Sequence, residues 1–341
     1  MMVLVLNCGS QSIKYKLFEK DFRLIKKGEK RIKNKREYAR ALEKELVRLK
    51  VLESGIGEIC HRVVHGGDKF RDPVRVTRKV LKELKKCNKF APLHNPYNIM
   101  GIEISLKIFP GIKEVAVFDT GFYKDLPARA AAYPLPENLV EKYGFKRFGF
   151  HGLSHEYVAR EGAKIIGRPF KDLKIISCHL GGGASISAIK SGKVIDTSMG
   201  FTPLEGVVMM TRTGDIDPGI LLQLGKEMSF RKLDDILNNS SGIKGICGLS
   251  EMKSVLSAIK KGNKKAKLAL DIFVYRIQKY LGAYFAVLGG CDLLVFTGAI
   301  GFGSSKIRKM VVRNLNIFKK TKILALKTNE ELQIARKVKN L

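Results

Sequence analysis

None of the six cysteines in this 341-residue chain stands in a Cys-x-x-Cys pair. Cys8, Cys60, Cys87, Cys178, Cys247 and Cys291 are spaced widely and irregularly. That excludes the usual zinc spacings and a disulfide scaffold, and reduced, mostly buried thiols are expected instead. No apolar run reaches the roughly 18 residues that a membrane span needs. The opening MMVLVLNCGSQ has neither the basic region nor the apolar length of a signal peptide. A soluble cytoplasmic protein with no membrane partner is expected. Neither G-x-x-x-x-G-K-[ST] nor G-x-G-x-x-G occurs, so no P-loop or Rossmann motif is present. No histidine follows His179. The six lie between His61 and His179, five of them in short polar stretches with Gly or Pro, which directs the search for chemistry to the first half and middle of the chain.

Acidic residues are scarce: 32 Asp and Glu stand against 63 Lys and Arg, a formal charge of +31. Nucleic-acid binding and simple solvated basic faces are the two explanations. The stretch 20–50 carries thirteen basic and five acidic residues, and 305–341 carries eleven and two. The first of these also holds Tyr38, Leu42, Leu46 and Leu49 at helical spacing. Solvated faces on amphipathic helices are therefore expected, and a nucleic-acid partner is not. Anionic substrates are favoured either way.

What is present alternates strand and helix. VLVLN, the polar turn CGSQS and IKYKLFE form a strand–turn–strand unit. About 170 residues later KIISCHL, GGGA, SISAIK, the turn SGK and VIDTS repeat that grammar. The repeat suggests two related domains. Asn95-Pro96 predicts a helix capped by Asn95 and running to about Phe109, and Asp217-Pro218 predicts another. EVAVFDTGF predicts a buried strand ending at Asp119, with His179 just after a strand of its own. Ala266–Leu288 predicts a long apolar helix, and DLLVFTGAIGFGSS a strand entering a Gly-rich turn. Asn329 and Glu330 open the last helix. The fold class is α/β.

Three strand-to-turn sites, 7–12, 181–185 and 298–305, are rich in Gly and Ser, and backbone N–H groups in such turns bind anions. The glycines after His179 are expected to bring main-chain amides against a phosphate chain where a Cβ would intrude. Arg62 in HRVVHGG and Arg212 in TRTGDIDPG suit phosphate or carboxylate oxygens. His151 and His179 lie in or beside Gly-rich loops. Asn7, Asp119 and Glu330 supply the oxygen ligands that magnesium accepts.

Together these stretches resemble the acetate kinase family, within the sugar kinase–actin–Hsp70 superfamily. The matching strings are LVLNCGSQSIKY, HRVVHGG, APLHNPYN, VFDTGF, RFGFHGLSHEYV, CHLGGGAS, DTSMGFTPLEG, MMTRTGDIDPG, SGIKGICGLSEMK and TNEELQIAR, in family order. The resemblance implies two ribonuclease-H-like (actin-like ATPase) domains with a ligand cleft between them. They are expected at 1–121, completed by the C-terminal helix 331–341, and at 122–330. It also implies a homodimer joined largely through the second domain. The implied activity is reversible, direct in-line phosphoryl transfer from ATP to acetate, giving acetyl phosphate and ADP, with Mg²⁺ or Mn²⁺.

Carried over by position, the resemblance gives Asn7 and Glu330 to the metal, and Ser10, Ser12 and Lys14 to the phosphate-binding first turn. Arg62 and Arg212 would hold acetate and the transferring phosphoryl group. Asp119 matches the essential acid and His151 the transition-state donor. His179, Leu180, Gly181, Gly182 and Gly183 match the nucleotide phosphate turn. Glu251, Met252 and Lys253, with Ala299, Ile300, Gly301, Phe302 and Gly303, match the nucleotide's base side. Val64, Leu93, Phe150 and Pro203 match the pocket for the acetate methyl group. The chain departs from the family on the base side. Gly182 stands where Asn is common, residues 299–303 replace Gly-Ile-Gly-Glu-Asn, and Glu251 and Lys253 replace Asp and Arg. A different donor (pyrophosphate), a different acceptor (propionate or butyrate) and a non-catalytic nucleotide- or nucleic-acid-binding relative stay open as alternatives.

Overall fold

The computed structural model describes the whole chain except Met1, Ser10, Gln11, Lys33, Glu53, Ser54, Leu93 and Asn340, and the side chains of Lys35 and Leu52. The expected site residues Ser10 and Leu93 therefore lie outside the described residues. The chain divides into two compact units, Met1–Lys124 with Asn329–Leu341, and Asp125–Thr328. The division falls slightly later than 121 and slightly earlier than 330. Strand Lys113–Phe118 continues into a 3-10 turn, Asp119–Tyr123, and Arg71 NH1 donates to the Lys124 carbonyl just beyond it. At the other end Asn329 is bound by Lys16 of the first unit at 2.6 Å.

In the first unit, β1 (Met2–Cys8), β2 (Ser12–Phe18), β3 (Leu24–Arg31), β4 (Ile56–Val63), β5 (Val74–Arg75) and β6 (Lys113–Phe118) form one sheet, ordered β3-β2-β1-β4-β6-β5. The first three make an antiparallel meander, while β1, β4 and β6 run parallel. In β2, Ile13, Tyr15 and Leu17 are buried and Lys14 is exposed, the period of two that a half-buried strand requires. Helix Tyr38–Leu52 lays Tyr38, Leu42, Leu46 and Leu49 into the core formed with Leu4, Leu6, Leu17 and Ile59. Each such side chain contributes roughly 1.5–3 kcal/mol by leaving water. The basic residues of this helix occupy its other faces, as amphipathic spacing requires.

Helix Asn95–Ile108 starts with Pro96 in its first turn, but its cap position is His94, not Asn95. Asn95 is fully buried and bridges instead. Its Oδ1 accepts from His65 N at 3.0 Å, and its Nδ2 donates to the carbonyls of His65 at 2.8 Å and Cys87 at 3.2 Å. A side chain needed by a buried loop cannot also cap the helix.

The second unit repeats the scheme. β7 (Lys174–Leu180), β8 (Ala184–Lys190), β9 (Lys193–Thr197), β10 (Leu293–Thr297) and β11 (Lys322–Ala325) are ordered β11-β10-β7-β8-β9. Again a three-strand meander is continued by parallel strands. Ser191 and Gly192 turn from β8 to β9 with φ of 53° and 78°, the left-handed pair that a tight hairpin favours. Asp217 caps helix Pro218–Glu227 through Gly219 N, as Asp217-Pro218 predicts. Helix Lys264–Leu288 buries Ala266, Leu270, Phe273, Ile277, Leu281, Tyr284 and Leu288 along one stripe. His179 lies within β7 rather than after it, and after β10 a single helical turn, Gly298–Gly301, replaces the expected open loop. All six cysteines are free, four of them buried. Among the described residues no helix is long and apolar enough to cross a membrane. The architecture is α/β, built from two ribonuclease-H-like units.

Candidate active site

In the first unit the C-terminal ends of the parallel strands carry the polar side chains, where open α/β sheets place ligands. Arg62 projects from β4, Asn7 from β1 and Asp119 from the turn after β6. Arg62 Nε and NH2 grip Asp119 Oδ1 and Oδ2 at 3.0 and 2.5 Å, a bidentate fork. Arg62 NH1 donates to Asn7 Oδ1 at 3.2 Å, and its Nε lies 3.5 Å from Glu330 Oε2. Asn7 Nδ2 donates to Glu331 Oε1 at 3.3 Å, so the network itself orients the Asn7 amide with oxygen toward Arg62. Lys16 completes the cluster at 2.9 Å from Glu331 Oε2.

The opposite face of β4 holds this arrangement still. His61, next to Arg62 and so pointing the other way, pairs with Glu114 at 2.9 Å, and Ser105 donates to Glu114 at 2.8 Å, all buried. Asn98 ties the strand exits together, donating to the Cys8 carbonyl at 2.7 Å and accepting from Val64 N at 3.0 Å. Val64 itself is buried.

Burial pulls the Arg62 guanidinium down, but Asp119, Glu330 and Glu331 outweigh it and hold its pKa well above the ordinary value. Burial raises the Asp119 carboxyl, Arg62 opposes that rise and Glu330 adds to it. Three carboxyl groups, of Asp119, Glu330 and Glu331, thus meet two cations, of Arg62 and Lys16. Among the described residues no three His, Cys, Asp or Glu side chains form a metal cage. Asn7 and Glu330 instead offer two oxygens to the same guanidinium, a donor set that suits a hard cation keeping most of its water.

In the second unit His151 sits at the cap position of helix Gly152–Ile165 with φ of 58°, a left-handed conformation uncommon outside glycine. Its ring stacks on His179, with centroids 4.3 Å apart and planes 18° from parallel. His151 Nδ1 lies 2.9 Å from Ser185 Oγ, which is also 2.8 Å from His155 Nε2. His155 Nδ1 meets Ser177 Oγ, and His179 Nδ1 meets Ser154 Oγ, both at 2.8 Å. Burial, then the neighbouring His179, holds the His155 pKa well below its ordinary value.

The glycine turn lies beside these rings. A Cβ on Gly183 would stand 3.4 Å from His151 Nε2 and 3.7 Å from Arg212 NH1, so the two donor groups flank one point. A Cβ on Gly182 would meet nothing within 4 Å, and Gly181, Gly182 and Gly183 all lack positive φ. Backbone conformation therefore does not require the triplet, and among the described residues no protein atom obstructs a side chain at 182.

The Arg212 segment is fixed by its backbone. Met210 N donates to the Gly182 carbonyl at 3.2 Å, and Ile243 N to Met209 O at 3.0 Å. Gly242, at φ of 60°, lets this happen: a Cβ there would sit 2.2 Å from Met209 O and 2.6 Å from Arg212 O. Among the described residues the Arg212 guanidinium has only the Pro203 carbonyl at 3.4 Å and Met209 Sδ at 3.8 Å as partners. Burial lowers its pKa. Phe150, preceding His151, is buried.

The remaining expected positions divide. The turn 298–303 reaches β7's end: Gly301 packs on Leu180, and Ala299 N lies 3.9 Å from a Cβ built on Gly181. Ile300 is buried, whereas Ala299, Phe302 and Gly303 are exposed. Glu251 and Lys253 are exposed and Met252 is buried at the start of helix Met252–Lys260. Ser12 opens β2. Lys14 turns away to Glu29 on β3 at 3.6 Å, and Lys16, two residues on along the same face, joins Asn7's cluster in its place.

Lys16, Glu331, Ser154, His155, Ser177 and Ser185 were not singled out by the sequence. The available signals were the shared face of Lys14 and Lys16 and the four-residue spacing of His151 and His155.

Comparison with known proteins gives a consistent result. The model described as the Acetokinase family matches residues 2–333. An acetate kinase of Dictyoglomus thermophilum is 44% identical over 391 aligned positions, covering 98% of each chain. The alignment is longer than the chain, so this chain lacks segments that the relative has. The structure of Porphyromonas gingivalis acetate kinase is similar at a TM-score of 0.90, with 36% identity and 98% of each chain covered. A propionate kinase from Francisella tularensis also scores 0.90, with 37% identity, covering 100% of this chain and 99% of that one.

Proposed function

The chain belongs to the acetokinase family, and on that premise we propose that it is an acetate kinase, transferring the terminal phosphoryl group of ATP directly to acetate. The carrying observation is Arg212. It is a half-buried cation with no carboxylate partner among the described residues, facing His151 Nε2 across Gly183. A desolvated guanidinium without a counter-charge is a seat for an anion.

An acetate oxygen attacks the terminal phosphorus while the bond to the ADP oxygen breaks in line. Acetate is already ionised, so no base has to remove a proton. The demand on the protein is positioning and positive charge around the equatorial oxygens. Arg212 and the His151 Nε2 edge supply donors for those oxygens. Arg62, held in a fixed plane by Asp119, supplies a fork for carboxylate or phosphoryl oxygens. Val64, anchored through Asn98, forms an apolar wall for the methyl group. Asn7 and Glu330 would hold Mg²⁺, which when bound spreads the charge of the phosphate chain. ATP and ADP are the nucleotides of this reading. Exposed Ile220, Leu222, Phe230 and Tyr275 on the second unit support a homodimer, and six free thiols support a cytoplasmic, reducing setting.

Propionate is the second acceptor, favoured by the propionate kinase likeness. A hydroxamate assay with acetate or propionate, Mg²⁺ and ATP, GTP or pyrophosphate tests both. Acetyl hydroxamate with ATP is expected, with Arg62→Ala and Arg212→Ala each reduced on the order of 10²- to 10³-fold. A flat trace across all donors, or full turnover in both variants, refutes the reading.

A further inference from the structure

We propose that Ser177, His155 and Ser185 form a buried relay that fixes the tautomer of His151, placing its proton on Nε2. The three are positioning residues, and their use rests on the reading of His151 as a donor to the transferring phosphoryl group.

Four side chains make a line: Ser177 Oγ to His155 Nδ1 at 2.8 Å, His155 Nε2 to Ser185 Oγ at 2.8 Å, and Ser185 Oγ to His151 Nδ1 at 2.9 Å. Ser177, His155 and Ser185 are wholly buried. Each hydroxyl carries one hydrogen, and a neutral imidazole carries one N–H. Burial keeps His155 neutral, so one of its nitrogens donates and the other accepts.

Suppose His155 donates from Nδ1. Ser177 must then send its own hydrogen elsewhere, and among the described residues Ser177 Oγ has no second partner. A buried hydroxyl hydrogen would be stranded, which folded interiors avoid. Suppose instead that His155 donates from Nε2. Ser177 then donates to His155 Nδ1, His155 Nε2 donates to Ser185, and Ser185 donates to His151 Nδ1. Every hydrogen has an acceptor. His151 Nδ1 is thereby an acceptor, and its N–H is on Nε2.

That nitrogen is the one 3.4 Å from the point where a Cβ on Gly183 would stand, with Arg212 NH1 3.7 Å from the same point. A doubly protonated His151 would reverse the line and strand the Ser177 hydrogen again. The Arg212 guanidinium and the stacked His179 lie against His151, and neither accepts from Nδ1. The relay moves no proton during turnover; it decides where one rests beforehand, so the donor needs no reorganisation at the transition state.

The test is a long-range ¹H–¹⁵N correlation spectrum of the full-length, ¹⁵N-histidine-labelled protein. The His151 signals are identified by their loss in His151→Asn. The Nε2–H pattern is expected at neutral pH without ligand. An Nδ1–H or doubly protonated pattern overturns the proposal. Ser177→Ala, which touches neither His151 nor the glycine turn, is expected to give mixed tautomers. Its kcat should fall about tenfold with both KM values unchanged. An unchanged tautomer and unchanged kcat in a folded Ser177→Ala also overturn it. If that variant fails to fold, the wild-type spectrum decides alone. The spectrum needs no turnover, so a protein inactive on acetate leaves the relay standing, while the wrong tautomer in an active acetate kinase refutes the relay and not the activity.

Discussion

Lys16 Nζ stands 2.9 Å from Glu331 Oε2, joining strand β2 to the first turn of helix Glu330–Val338. The same ammonium donates to Asn329 Oδ1, the cap of that helix, at 2.6 Å. Glu331's other oxygen accepts from Asn7 at 3.3 Å. One buried carboxylate therefore orients a lysine and the amide whose oxygen faces Arg62. It also holds the last helix to the first unit.

This pair makes the first unit sensitive to acid. Burial pushes the Glu331 carboxyl up, but attraction to Lys16 and hydrogen bonds from Lys16 and Asn7 leave it below the ordinary carboxylate value. A folded-state value below the unfolded one gives stability that is fully present above the unfolded value. That stability is lost as pH falls through the folded one. Glu331→Gln is expected to lose about 1–3 kcal/mol at pH 7 in urea unfolding followed by circular dichroism. The gap to wild type should close below about pH 4. A gap that stays constant with pH would show that the charge of Glu331 contributes nothing.

Arg212 predicts the opposite balance between stability and activity. Its charge is half-buried with no carboxylate partner among the described residues, and burial lowers its pKa. Removing an uncompensated buried charge relieves the fold. Arg212→Met should keep its Tm or gain about 2–4 °C, while turnover falls on the order of 10²- to 10³-fold. Inorganic phosphate should raise the Tm of wild type and leave that of the variant unmoved. A destabilised variant with intact turnover would make Arg212 a structural residue.

Much of this was legible in the sequence because local physics dictates it. Tyr38, Leu42, Leu46 and Leu49 repeat at helical spacing and are all buried, and Asp217-Pro218 caps its helix. Arg62, Asp119, Asn7 and Glu330 do converge, since strand ends and a helix start carry them. What was not legible depends on side-chain competition across long separations. Asn95 has the sequence of a cap, but the buried loop after β4 needs its amide more. Lys14 and Lys16 share a face, and only the position of Glu29 on β3 decides which of them turns away. Ser177, His155 and Ser185 come from three different elements, so no single stretch announces their line.

The glycine turn gives the sharpest separation of ligand space from fold. A Cβ at 182 meets nothing within 4 Å, and φ there is not positive, so Gly182→Ala should fold as wild type. Gly182→Asn, the residue resembling the family at this position, should also keep its Tm and its kcat. A Cβ at 183 makes ordinary contacts with His151 at 3.4 Å and Arg212 at 3.7 Å, so Gly183→Ala should fold with little change in Tm. It places a methyl group between the two donors proposed to receive phosphoryl oxygens. Donors displaced by even a fraction of an ångström stabilise developing charge poorly, and kcat should fall at least tenfold. Thermal unfolding and steady-state kinetics on the three variants check this. Equal kinetics for Gly182→Ala and Gly183→Ala would mean that the space between His151 and Arg212 is not where the phosphoryl group sits.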